Sequence, residues 1–241
     1  MSNAMSSPDR PQLSVLIPVF NGERYLAQAI ESILGQDWPP LEIIVIDDGS
    51  EDRSAIIAES FGPPVRCVRR PHGGLAAARN AAVAEARGQF IAFLDADDLF
   101  TPGSLAVRMA AFQNDPSTEA VLGRYLAFHS PELNDQQQAR FVLTKEPQRG
   151  HVGGTTIFRA EVFNRVGQFN ELLTSGPDLD WFIRAKDQEI SMRYLSDIVS
   201  HRRIHGLNMS LTLKETLSSN RARILKAALD RRRAAAGGGQ S

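Results

Sequence analysis

In the first hundred residues, short apolar segments alternate with segments of helical spacing, and each apolar segment ends at a polar turn. Leu13 to Phe20 stops at Asn21-Gly22, and Arg24 to Leu34 then places Leu26, Ile30, Ile33 and Leu34 at helical intervals. Leu41 to Ile46 stops at Asp47-Asp48-Gly49-Ser50 and is followed by a helical stretch from Ser54 to Ser60. A strand at Val65 to Val68, an Ala-rich helix at Leu75 to Ala86 and an apolar run at Gln89 to Leu94 complete the series. Nearly continuous apolar character marks strands covered on both faces. Strands and helices in this order predict a doubly wound, largely parallel α/β sheet.

Beyond Asp98 the pattern loosens. A helix at Ser104 to Phe112, strand-like segments at Ala120 to Phe128 and Thr155 to Phe158, and helices near Glu161 and at Leu179 to Lys186 predict a mixed second half on the same sheet. Gln136-Gln137-Gln138 lies in a polar stretch without periodicity and reads as a loop. With 42% hydrophobic and 23% charged residues over 241 positions, one globular domain is expected. Its expected bounds are 13–213. Residues 1–12 open with Met1-Ser2-Asn3-Ala4-Met5, which reads as a tag scar before the native start, with no apolar leader after it. Residues 214–241 form a basic tail: Lys214 to Arg233 holds seven Lys or Arg against Glu215 and Asp230 and sets Ile224, Leu225, Ala228 and Leu229 on one helical face. Such a helix either packs on the domain or lies on an anionic membrane.

Charge excludes some partners. A net charge of -1 gives no general attraction to nucleic acid, and no run reaches the roughly 18 apolar residues of a membrane span. Cys67, the single cysteine, sits in an apolar-alternating strand and reads as packing, not as a catalytic thiol. A cytoplasmic setting, with any membrane contact peripheral at the inner face, is the expectation.

In an open α/β sheet, ligands bind beyond the carboxyl ends of the strands. Asn21, Asp47-Asp48 and Asp95-Ala96-Asp97-Asp98 all fall at such ends. Each alone is also an ordinary turn or helix cap. Carboxylates gathered at one edge repel unless a cation is present, and Mg²⁺ or Mn²⁺ takes oxygen ligands while leaving positions for phosphate oxygens. Neither GxxxxGK[ST] nor GxGxxG occurs, so a glycine-rich phosphate loop does not explain the pattern.

Four motifs in order, Leu16-Ile17-Pro18-Val19-Phe20-Asn21-Gly22-Glu23, Ile46-Asp47-Asp48-Gly49-Ser50, Gly74-Leu75-Ala76-Ala77-Ala78-Arg79-Asn80 and Phe93-Leu94-Asp95-Ala96-Asp97-Asp98, closely resemble those of the family 2 glycosyltransferases of the GT-A fold. The resemblance covers about residues 13 to 210. It implies an inverting, metal-dependent enzyme that moves a sugar from a nucleotide-diphosphate donor, UDP type favoured, to an acceptor; the basic tail, if it lies on a membrane, would bring the site to a lipid-linked acceptor.

Carried over residue by residue, it implies that Pro18, Phe20 and Glu23 line the nucleotide pocket, that Asp48 accepts from the base edge, and that Arg79 lies near the diphosphate or sugar. Asp95 would contact ribose or sugar, Asp97 would be the direct metal ligand, and His205, in a segment where the family often has a metal-approaching histidine, a second one; His201 is a lesser candidate. Asp178 matches the family's catalytic base, although Pro177 stands where the family has Glu. Phe20 in the core, Arg79 in a surface ion pair and Asp178 as a helix cap are the structural alternatives. Trp181 reads as core. The Gln-x-x-Arg-Trp motif of the processive synthases is missing from the sequence, which favours a single addition per encounter. A sugar-nucleotide pyrophosphorylase and a catalytically silent binding module are the competing readings.

Overall fold

The computed structural model describes residues 13–36, 38, 41–206, 208 and 214–237, with side chains in the last segment described for 220–233. Its first half follows the sequence: β1 (Leu13–Val19), α1 (Leu26–Leu34), β2 (Leu41–Asp47), α2 (Ser54–Ser60), β3 (Val65–Arg69), α3 (Leu75–Glu85) and β4 (Phe90–Phe93). The second half adds β5 (Leu99–Phe100), α4 (Ser104–Asn114), β6 (Ala120–His129), α5 (Asp135–Arg140), β7 (Gln148–Arg149), β8 (Thr156–Arg159), α6 (Glu161–Val166), α7 (Pro177–Asp187), β9 (Met192–Ile204) and α8 (Lys214–Gly237).

One sheet runs in the order β3-β2-β1-β4-β8-β6-β9-β5, with β7 paired to β6. The strands from β3 to β4 are parallel. Then β8 runs antiparallel between β4 and β6, while β9 lies parallel to β6 and antiparallel to β5. The expected parallel half and mixed half are both present.

The continuous apolar runs arise because alternate side chains feed two layers. Val15, Ile17 and Val19 pack with Leu26, Ile30 and Ile33 of α1 on one face. Leu16, Ile44 and Ile46 pack on the other with Ala76, Ala78 and Ala82 of α3 and with Phe158, Phe163 and Trp181. Trp181 is wholly buried, stacks on Phe163 and Phe169, and donates its indole N–H to the Gly167 carbonyl at 2.8 Å. Truncating it would cost about 3–5 kcal/mol.

Pro18 stands within a central strand, where a missing N–H ordinarily costs a ladder bond. The Leu16 carbonyl accepts from Leu94 on the β4 side, and the Val19 carbonyl accepts from Asp48 on the β2 side. Alternation therefore turns Pro18 toward β4, whose register with β1 has ended at Leu16.

One expectation needs correction. Gln136-Gln137-Gln138 is not a loop: it lies in α5, which is fixed by a capping box in which the Asn134 side chain accepts from the Gln137 N–H and the Gln137 side chain accepts from the Asn134 N–H. The long β9 carries few apolar alternations, and its pairing with β6 contains register shifts at Leu122, Arg124 and Tyr125. The apolar face of α8 is only partly covered: Ile224 and Ala228 are buried, while Leu225 and Leu229 at its edge are half exposed. Arg231 and Arg232 pair with Asp187 of α7, so part of the basic surface is also spent on the domain. Among the described residues no helix is long and apolar enough to cross a membrane.

Candidate active site

The carboxyl ends of β1, β2 and β4 meet at one edge, and the loops leaving them are stitched together. Asn21, at φ 51°, donates its N–H to Ser50 Oγ and accepts from the Glu51 N–H, both at 2.9 Å. Glu23 accepts from the Arg53 N–H at 3.1 Å and donates its own N–H to Asp52 at 2.9 Å. The Glu23 carboxylate thus holds the turn entering α2.

Asp48, 2% exposed, organises the loop ahead of α3. It accepts from Arg70 Nη1 at 2.6 Å, from the Gly73 N–H at 3.1 Å and from the Gly74 N–H at 2.7 Å, and its Oδ2 lies 3.0 Å from His72 Nδ1. This closeness demands glycine at position 49: a Cβ there would stand 2.8 Å from the backbone nitrogen of His72, and its φ is +80°. In turn the His72 ring lies 4.2 Å from that of Phe20, whose side chain is 49% exposed. Phe20 is therefore no core residue. Phe20 and His72 present a paired aromatic surface at the mouth of the strand ends, suited to stacking on a flat ring.

Arg79 is fully buried. It reaches Asp95 Oδ1 at 2.9 Å with one terminal nitrogen and Asp178 Oδ1 with the other. Its guanidinium lies over Phe93 and Phe169 at 5.5 and 5.8 Å. Burial lowers its pKa and the Asp95 charge opposes that shift. The surface-pair alternative for Arg79 fails on its burial. The cap alternative for Asp178 fails too: α7 begins at Pro177 with Gly176 as its cap, and no side chain caps it. Proline is well tolerated at this first helical position.

Asp97 Oδ2 lies 2.9 Å from His205 Nε2 and accepts from Asn208 Nδ2 at 3.1 Å. Arg203, 3% exposed, holds the strand end from behind by donating its N–H to Asp98 Oδ1, its Nε to the Asp97 carbonyl and Nη2 to Gln28. Asp98 is pushed well above the usual carboxylate range by burial and by the charges of Asp97 and Asp95. The Tyr25 ring stands 4.9 Å from that of His205, and its hydroxyl donates to Glu132, which also accepts from Ser130.

The structure thus brings the expected residues into three neighbouring groups: Phe20 with Asp48, Arg79 with Asp95 and Asp178, and Asp97 with His205. Glu23 and Pro18 belong to the frame of the first. His201 does not join them; it pairs with Leu99 and Leu126 in the sheet and lies against Phe128. The sequence reading passed over Arg70, His72, Arg203, Asn208, Tyr25 and Glu132. The glycine pair after His72 signalled a close backbone approach, but the approach to Asp48 bridges more than twenty residues and no local pattern shows it.

For a cation, the donor set is one carboxylate and one imidazole. Among the described residues no group of three or more His, Cys, Asp or Glu side chains is placed to hold a metal ion. Mg²⁺ and Mn²⁺ sites that depend on substrate phosphates need only one or two protein ligands, so Asp97 and His205 fit a cation completed by its ligand.

The sequence matches the family described as Glycosyl transferase family 2 over residues 14–171. It is 27% identical over 237 residues to a chondroitin synthase of Pasteurella multocida (strain Pm70), a match taking in 92% of this chain and 24% of that protein. It is 27% identical over 215 residues to a hyaluronan synthase of Pasteurella multocida, covering 83% of this chain and 21% of that one. The chain thus spans about a quarter or less of these relatives' length. Among solved structures, S. aureus TarS 1-349 superposes with a TM-score of 0.62 at 22% identity, covering 80% of this chain and 60% of that one. The same protein in complex with UDP-GlcNAc gives 0.61 at 22% identity, covering 80% and 58%.

Proposed function

Since this chain belongs to glycosyl transferase family 2 and carries the GT-A fold, we propose that it transfers a sugar from a nucleotide-diphosphate donor, of UDP type, to an acceptor hydroxyl with inversion, one sugar per encounter. The observation that carries this reading is Arg79, a buried cation that ties Asp95 and Asp178 together beside the Asp97–His205 pair. The donor class is supported by the UDP-GlcNAc complex of TarS, and a role in polysaccharide synthesis by the chondroitin and hyaluronan synthases.

In this reading the base of the donor stacks on Phe20 and His72, above a loop fixed by Asp48. Asp95, with one oxygen on Arg79 and a side chain 41% exposed, offers its other oxygen to a ribose or sugar hydroxyl. A divalent metal, Mn²⁺ or Mg²⁺, held by Asp97 and His205, would neutralise the charge on the departing diphosphate. Asp178 has Oδ1 on Arg79, and Oδ2 has no protein partner among the described residues. That free oxygen takes the proton from the acceptor hydroxyl as the hydroxyl oxygen attacks the anomeric carbon and the bond to the diphosphate oxygen breaks. Arg79 fixes the direction of the carboxylate and so supplies orientation as well as charge balance.

Asp178→Asn tests the assignment. It keeps the size of the side chain and an oxygen toward Arg79, so UDP affinity should be retained while sugar transfer or donor hydrolysis falls about a hundredfold or more. Normal turnover by this variant across a panel of UDP-sugars would remove Asp178 from the chemistry.

A further inference from the structure

His205 has a second surroundings. Besides meeting Asp97, it helps to wall a cavity of about 540 Å³, a size that holds a small ligand. Two cations enter this cavity from different parts of the chain: Arg24 from the turn before α1, and Arg140 from the end of α5. Among the described residues Arg24 has one ionic partner, Glu132 at 3.4 Å, and its side chain stays 61% exposed. Both Glu132 oxygens are already engaged by the hydroxyls of Tyr25 and Ser130. Arg140 pairs with no carboxylate among the described residues. Among the described residues two guanidinium groups therefore line the cavity against one carboxylate, a net positive charge.

The remaining wall is mixed. Gln137 contributes an amide, while Leu133 and Phe141 contribute apolar surface. Phe141 is held in place where its carbonyl meets His129 Nε2 at 2.8 Å. Its ring lies 3.7 Å from where a side chain at Gly206 would begin, and Gly206 has φ +82°, so glycine keeps that side of the cavity open. A guanidinium binds phosphate or carboxylate in paired hydrogen bonds, and an aromatic face next to it suits the apolar face of a sugar ring.

We propose that this cavity is an anion subsite that takes a phosphate- or carboxylate-bearing sugar, separate from the nucleotide site at Phe20 and His72. Binding there does not depend on the transfer reaction. Its place beside His205 would put such a sugar next to the Asp97 end of the active site.

The test is calorimetric titration of the full chain with glucose 6-phosphate, glucuronate and glucose, each with and without saturating UDP and Mn²⁺. At least one anionic sugar should bind whether or not UDP is present, and neutral glucose at least about tenfold more weakly, since it lacks the charge-assisted bonds. The stronger of the two anions identifies the group. An Arg24→Gln, Arg140→Gln double variant, with melting checked against the parent, should lose about tenfold or more for the anion and nothing for UDP. Equal binding of glucose, no binding of either anion, or an unchanged double variant would overturn the proposal. So would displacement of the anion by UDP together with weaker UDP binding in the variant, because the cavity would then be part of the donor site. Failure of UDP to bind the parent chain would count against the proposed function alone.

Discussion

At the scale of the residue, Glu132 shows how a charge at the rim of the site is held. Burial alone would raise its pKa, but hydrogen bonds from Ser130 and Tyr25, helped by Arg24, overcome that and pull it down to about 2. The unfolded chain returns it to its ordinary value of 4.5. The ionised form is therefore preferred by the fold, and its stabilisation is complete above pH 4.5 and lost as pH falls from there through 2. Glu132→Gln should lower the urea midpoint at pH 7, and the gap from the parent should narrow at pH 3.5. A gap of the same size at both values would mean that the carboxylate charge contributes nothing. Since Glu132 anchors Tyr25 beside His205, these contacts also fix the approach to Asp97. None of this was legible from the sequence, where Tyr25 and Glu132 lie 107 residues apart in unrelated segments.

Among the elements, α8 supports the segment that carries Asp178. Asn220 donates to the Ser175 carbonyl and to its hydroxyl at 3.1 and 3.0 Å. Ile224, 2% exposed, brings its Cδ1 to 3.5 Å from where a side chain at Gly176 would start. Ile224→Ala removes that packing at roughly 2–3 kcal/mol, and it should lower the transfer rate while leaving UDP affinity in place. Leu225→Ala, one residue on but 54% exposed, should stay within about 0.5 kcal/mol of the parent in urea. If both variants behave alike, α8 does not hold the Asp178 segment. The spacing in the tail predicted a helix correctly. Which of its apolar residues face inward depends on where α7 lies, and no periodicity encodes that. The helix at α5 was missed for a different reason: its Gln run has no apolar stripe, and the helix is held by its capping box at Asn134.

Across the whole molecule, the parallel half of the sheet was readable because each strand is covered on both sides and so must be apolar throughout. The strand ends were readable as well, since Asp48, Asp95 and Asp97 are polar residues placed where such a sheet binds ligands. The pairing of Arg79 with Asp178 was not, because it joins α3 to α7 across 99 residues and puts a charge in the interior, where helix spacing would place an apolar side chain. β9 escaped notice because its polar residues serve as site and sheet together: Arg203 binds Asp97 and Asp98 from within the strand. In the proposed function Asp97, with His205, binds the diphosphate of a UDP-type donor through a divalent cation. Calorimetric titration of UDP into the full chain with Mn²⁺, with Mg²⁺ and with chelator tests it most directly. UDP should bind only when metal is present, with binding retained in Asp178→Asn and lost in Asp97→Ala; equal affinity in chelator, or an Asp97→Ala variant that binds UDP like the parent, would remove the metal from the site.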